Sequence, residues 1–278
     1  MIKYKCRGGY APVSFADMVP FFTEHPRFVI LDRDGTLVPY SPTPELAFLP
    51  PLTKRVLCDI VDQNQGQIAI ISARGLKGLQ QEFDPDKEIL AGNYGMEISF
   101  PDGRNFLHPA ASSALPQIEA LTEELTKIVG QFPQLILDNH IYSLCLHYHL
   151  VAPHQQSHIA TLVSNLKKRF SDLRWRDLPT SYEILPAVDW DKGKAIQQIA
   201  QELNFKARDF LHIVFGDSEA DEPMYAWINE HGGMSFNVGE REESQAQGSL
   251  DTPDDVYNFL RNMLDLKRVS VADTAEMN

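Results

Sequence analysis

One stretch constrains this chain more than any other. The apolar run Phe28-Val29-Ile30-Leu31 stops abruptly in Asp32-Arg33-Asp34-Gly35-Thr36-Leu37. A short apolar run bounded by turn residues reads as a strand buried on both faces, as in a parallel sheet. The carboxyl ends of such strands are where open α/β sheets place their ligands. Side chains alternate along a strand, so Asp32 and Asp34 are expected on one face if the chain stays extended, with Arg33 turned away. Gly35 lets the chain leave the strand sharply. Two carboxylates this close repel unless a cation neutralises them or one holds a proton. A hard divalent ion such as Mg²⁺ suits such oxygen ligands.

The rest of the chain extends this pattern. The lead-in to residue 27 is mixed, with a short helix expected from Phe15, Met18, Val19, Phe21 and Phe22. Five prolines between 39 and 51 predict a loop over the first strand's carboxyl end. A helix beginning near Thr53 follows from the stripe Val56, Leu57, Ile60 and Val61. Further buried strands are expected at Gln67–Ser72, at Glu88–Gly92, at Leu211–Gly216 before Asp217, and at Met234–Gly239. Residues 240–253 read as polar loop, and Val256 to Leu264 as a closing helix.

Between 105 and 186 the pattern changes. Two amphipathic helices, at 115–132 and 159–170, flank a hairpin with a turn near Asp138-Asn139-His140. Its second arm alternates strictly, with Tyr142, Leu144, Leu146 and Tyr148 opposite Ser143, Cys145, His147 and His149. That is the pattern of a half-exposed antiparallel strand. The expected class is therefore α/β: a doubly wound parallel-sheet core from 1–104 and 187–266, an inserted α+β cap at 105–186, and a tail at 267–278.

Composition excludes several function classes. A formal net charge of −13 argues against general binding to nucleic acid, whose phosphates demand basic patches. It also means that an anionic substrate must be held by local cations. Three scattered cysteines give no disulfide framework or zinc ribbon, which points to a reducing, cytoplasmic setting. No apolar stretch is long enough to span a bilayer, so no membrane partner is expected.

Polar residues gather at the predicted strand ends and helix starts: Asp32 and Asp34, Ser72, Lys192, and Asp217 with Asp221. A hydroxyl at a strand end, such as Ser72, is placed to donate to an anion. Lys192 opens a helix, where the macrodipole disfavours a cation, which points to a functional reason for it. These segments, in this order, resemble the four motifs of the haloacid dehalogenase superfamily. The resemblance implies a Mg²⁺-dependent phosphatase. In it Asp32 is the nucleophile, Asp34 the general acid and base, Ser72 a donor to the phosphoryl group and Lys192 a neutralising cation. Asp32, the Asp34 carbonyl, Asp217 and Asp221 would hold the ion.

A closer resemblance is to the trehalose-6-phosphate phosphatases. Ala91-Gly92-Asn93-Tyr94-Gly95-Met96-Glu97 is similar to their Gly-x-His-Gly-x-Glu segment, Leu144 to His149 to a cap strand ending His-Tyr-Arg, and Glu183-Ile184-Leu185-Pro186 to Glu-x-Arg-Pro. On that resemblance Arg74, Asn93, Tyr94, His147 and Glu183 are expected to contact a sugar phosphate. Tyr94 stands in place of a His, His149 and Leu185 each in place of an Arg, and Ser218 in place of an Asp. These departures leave open another phosphorylated glycoside as substrate, or a catalytically silent phosphosugar-binding domain.

Overall fold

The computed structural model describes residues 2–6, 9–23, 27–63, 66–204, 211–241 and 243–266; the expected tail at 267–278 lies outside them. In chain order its main elements are β1 (Ile2–Cys6), β2 (Gly9–Val13), α1 (Phe15–Thr23), β3 (Arg27–Leu31), α2 (Pro51–Asp62), β4 (Gly66–Ile71), α3 (Leu76–Glu82), β5 (Ile89–Gly92), β6 (Glu97–Ser99) and β7 (Asn105–Leu107). Then come α4 (Pro109–Val129), β8 (Ile136–Asn139), β9 (Leu144–His147), α5 (Pro153–Arg169), β10 (Leu173–Asp177) and β11 (Ser181–Pro186). The chain closes with α6 (Lys192–Leu203), β12 (Leu211–Gly216), α7 (Glu222–Glu230), β13 (Met234–Val238), β14 (Gly248–Leu250) and α8 (Pro253–Asp265).

Among the described residues the strands form two sheets. The larger runs β2-β1-β14-β13-β12-β3-β4-β5-β6-β7. Its six strands from β14 to β5 are parallel. Alternation along them feeds two cores. Val29, Leu31, Ile68, Ile70, Ile213 and Phe215 pack with α1, α2 and α8. Phe28, Ile30, Ala69, Ile71 and Val214 pack with α6 and α7. Helices on both faces of a parallel sheet make the fold α/β and doubly wound. The strands' carboxyl ends consequently share one edge.

The smaller, antiparallel sheet runs β10-β11-β9-β8. Leu144, Leu146, Ile184 and Leu173 pack against α4 and α5 in a third core, which includes Ile118, Leu125, Ile159 and Val163. Asn105–Leu107, which the sequence grouped with this unit, pairs instead with β6 in the larger sheet. The polar stretch 240–253 contains β14, and the lead-in contains the hairpin β1–β2, which pairs onto β14. No helix among the described residues is long and apolar enough to cross a membrane.

One buried acid sets a pH dependence of stability away from the sheet edge. Glu88, just before β5, is fully buried, and its Oε2 accepts from Asp84 N at 2.7 Å. Burial pushes its carboxyl up to about 7. The folded chain therefore holds this proton more tightly than the unfolded one. Its stabilising contribution is complete below the ordinary carboxylate range and is lost as pH rises through about 7. Glu88→Gln keeps an acceptor and removes the charge. By chemical denaturation, the variant is expected to be more stable than the unaltered chain by about 2 kcal/mol at pH 8 and to match it near pH 4.5.

Candidate active site

The expected strand ends do meet. Asp32 follows β3, Ser72 follows β4, Asp217 follows β12, and Lys192 opens α6. A cavity of about 680 Å³ lies above them, and Asp32, Asp34, Ser72, Arg74, Lys192 and Asp217 all line it.

Lys192 is almost wholly buried and donates to Asp32 Oδ1 at 2.7 Å and to Asp221 Oδ1 at 2.6 Å. Asp191 caps the helix, its Oδ1 accepting from Lys194 N at 2.9 Å, so Lys192 is fixed in the first turn. Burial works to lower the Lys192 pKa, but Asp221 and Asp32 outweigh it and hold the ammonium above its ordinary range. Burial lifts the Asp32 carboxyl well above its usual range, despite Lys192, and Asp221 and Asp217 push the same way. Asp217 is pushed up to about 6, chiefly by burial and further by Asp221.

Asp221 serves a different end from Asp32. Its Oδ1 meets Lys192, while its Oδ2 accepts from the backbone N–H groups of Asp217 and Ser218 at 3.0 and 2.9 Å and from Ser218 Oγ at 2.9 Å. Both oxygens are spent on orienting Lys192 and shaping the 217–221 turn. Gly35, at φ +83°, is required at the neighbouring turn, since a Cβ there would fall 2.2 Å from Asp217 Oδ2.

The residues present fit a hard divalent cation. One carboxylate oxygen from each of Asp32, Asp217 and Asp221 lies within 4.8 Å of the others. Asp217 Oδ1 is buried and has no hydrogen-bond partner among the described residues. An all-oxygen set holding an unpartnered buried carboxylate oxygen suits Mg²⁺.

Asp34 lines the cavity with Asp32, though not as part of the strand. β3 ends at Leu31, so Asp32 and Asp34 no longer stand on one strand face. The Asp34 carboxylate accepts from Arg74 Nε at 2.7 Å and Nη2 at 3.0 Å, and also from Arg33 Nη1. Arg33 is turned away from the cavity, as expected. It is fully buried and grips Glu82 of α3 through Nε at 2.8 Å and Nη2 at 2.6 Å.

Opposite this cluster the smaller sheet supplies the cavity's other wall. Tyr94, at φ +59°, donates from its hydroxyl to Glu183 Oε1 at 2.6 Å, linking the larger sheet's edge to β11. Arg176 stands across from Glu183 in the β10–β11 register, and its Nη1 donates to Glu183 Oε2 at 3.0 Å and to the Tyr94 hydroxyl at 3.2 Å. His147 and His149 line the same wall, and burial lowers the His147 pKa.

Asn93 does not reach the cavity. It is fully buried, and its side chain is committed to Glu97 Oε1 at 2.6 Å, the His140 carbonyl at 3.1 Å and the Ser143 hydroxyl. It ties the β8–β9 turn to the larger sheet. Leu185 is likewise buried away from the cavity. Sequence reasoning passed over Arg176 and Tyr40, both of which line the cavity. Alternation in Leu173-Arg174-Trp175-Arg176 carried a usable strand signal for the first. A loop residue such as Tyr40 carries none.

Comparison with known proteins agrees with this geometry. The trehalose-phosphatase family model matches residues 30–256. Probable trehalose-phosphate phosphatase H of Arabidopsis thaliana is 26% identical over 255 residues, covering 87% of this chain and 72% of that protein. Among solved structures, the C-terminal domain of the C. albicans trehalose-6-phosphate phosphatase has a TM-score of 0.76 at 19% identity, covering 94% of this chain and 100% of that one. A haloacid dehalogenase-like hydrolase from Bacteroides thetaiotaomicron has a TM-score of 0.58 at 15% identity, covering 85% and 99%. The fold is haloacid dehalogenase-like, and the chain belongs to the trehalose-phosphatase family of phosphoric monoester hydrolases.

Proposed function

We propose that this chain is a Mg²⁺-dependent phosphatase acting on a sugar phosphate, with trehalose-6-phosphate the leading substrate, and that residues from Pro109 to Pro186 form its cap. The observation that carries this reading is the buried Asp32–Lys192–Asp221 cluster with Asp217 beside it, facing a polar wall across one cavity. Phosphoryl transfer asks mainly for alignment and charge neutralisation. Asp32 attacks phosphorus and becomes an aspartyl-phosphate. Lys192 pairs with Asp32 and opposes the rise that burial causes in its carboxyl, and Ser72 donates to a phosphoryl oxygen. Asp32, Asp217 and the Asp34 carbonyl, with Asp221 behind them, would hold Mg²⁺, which would supply positive charge between nucleophile and phosphate. Asp34 protonates the leaving sugar oxygen and then takes a proton from the hydrolytic water. For that it leaves Arg74, which is then freed to contact the substrate. Glu183, Arg176, Tyr94 and His147 present acceptors and donors for sugar hydroxyls.

A second reading, phosphosugar binding without turnover, draws on one observation: Asp34 is fully engaged by Arg33 and Arg74. Phosphate release measured over a panel of sugar phosphates, with and without Mg²⁺, decides between the two. The expected result is Mg²⁺-dependent release with the highest kcat/KM on trehalose-6-phosphate. Ligand binding with no release from any compound would establish the second reading instead.

A further inference from the structure

Tyr40 combines two properties that rarely coincide. It sits in the proline-rich loop between β3 and α2, and the residue is 73% exposed. Yet its hydroxyl donates a 2.6 Å hydrogen bond to Asp217 Oδ2, at the floor of the cavity. An exposed aromatic ring has little packing to fix it, so this bond is its principal anchor.

The other oxygen of the same carboxylate, Asp217 Oδ1, is buried and has no hydrogen-bond partner among the described residues. An unpartnered buried carboxylate oxygen carries a substantial desolvation cost. Lys192 Nζ meets Asp32 and Asp221, while Asp217 N, Ser218 N and Ser218 Oγ all meet Asp221 Oδ2. The Asp217 carboxylate is thus held by a donor on one oxygen only, and it stands at ligand spacing from Asp32 and Asp221.

We infer that Tyr40 is a positioning residue for the metal: its hydroxyl holds Asp217 Oδ2, and thereby turns Oδ1 toward the divalent cation that Asp32 shares. This rests on the proposed reading of Asp32 and Asp217 as Mg²⁺ ligands. Hydrogen bonds from residues outside the ligand set orient the ligands, and their removal typically weakens metal affinity about 10- to 100-fold. The hydroxyl carries the effect; the exposed ring contributes little to folding.

The test is calorimetric titration of Mg²⁺ into the full chain in the absence of substrate, for the unaltered protein, Tyr40→Phe and Tyr40→Ala, with melting of each metal-free form. The expected result is Mg²⁺ binding weakened about 10-fold in Tyr40→Phe and to a similar extent in Tyr40→Ala. Metal-free melting should stay close to that of the unaltered chain. In turnover assays the Tyr40→Phe change should appear as a higher Mg²⁺ requirement, with kcat retained at saturating Mg²⁺. Unaltered Mg²⁺ affinity in Tyr40→Phe overturns the inference and leaves the proposed function standing. Weakening in Tyr40→Ala alone assigns the effect to loop packing and also overturns it. Absence of Mg²⁺ binding by the unaltered chain overturns both.

Discussion

Replacing Asp32 with Asn is expected to reduce phosphate release by on the order of 10⁴-fold or more while leaving the fold intact. An amide of the same shape cannot attack phosphorus, and the neighbouring carboxylates have other parts to play, Asp217 being read as a metal ligand. Asp34 faces Arg74, and both oxygens of Asp221 are occupied. The chain should still fold, because Lys192 keeps its 2.6 Å partner Asp221 when Asp32 loses its charge. Burial already works against ionisation of Asp32, so neutralising it removes an unfavourable charge together with one ion pair. Steady-state kinetics and a melting curve on the same sample check the two halves together. Full turnover in the variant would remove Asp32 from the chemistry.

The second large effect belongs to Lys192→Met, and it falls on stability as well as rate. Lys192 is the buried cation that touches both Asp32 and Asp221. Removing one member of a buried pair leaves uncompensated charge, at a cost of roughly 3–5 kcal/mol. The cost should depend on pH with a definite sign. The folded-state pKa of Asp32 is already raised, and that of Asp217 is about 6. Without the ammonium both rise further. Carboxyls whose folded pKa is raised contribute stability below the unfolded value, near pH 4, and lose it as pH rises through the folded value. The deficit of the variant should therefore be widest above pH 7 and shrink toward pH 4. Urea titrations at pH 4.5 and 7.5 measure it, and an equal deficit at both would show that lost packing rather than lost charge is responsible. Turnover should fall about 10³-fold at neutral pH, because Asp32 loses the buried cation that favours its ionised, nucleophilic form.

The parallel strands were legible because burial on both faces writes them as unbroken apolar runs, as in Phe28–Leu31 and Ile213–Phe215. The strands beyond β13 were not. β14 is Gly248-Ser249-Leu250, three residues whose pairing comes from neighbours rather than from their own pattern. The β1–β2 hairpin mixes Lys3, Lys5 and Pro12 with its apolar residues and reads as lead-in. At the site, the residues fixed by strand ends were legible: Asp32, Ser72, Asp217 and the helix-opening Lys192. Beyond Leu31 the chain has left the strand, so alternation no longer decides the partners of Arg33 and Asp34. Ending the strand at Leu31 swings Asp34 onto Arg74 and sends Arg33 inward to Glu82. Asn93 was misjudged for a related reason. Its φ of +50° turns the side chain inward to Glu97 and Ser143, which no linear pattern announces. Tyr40 and Arg176 reach the cavity from a loop and from a strand of the second sheet, so their roles follow only from tertiary geometry.

The central claim is that Asp32 carries the phosphoryl group between two half-reactions. Borohydride reduces an acyl phosphate on aspartate to homoserine, so it marks the nucleophile in a chain quenched during turnover. With trehalose-6-phosphate and Mg²⁺ present, peptide mapping by mass spectrometry should find homoserine at position 32, and none in a sample lacking substrate. An unmarked Asp32 in a sample that is demonstrably releasing phosphate and carries the label on another carboxylate would contradict the account.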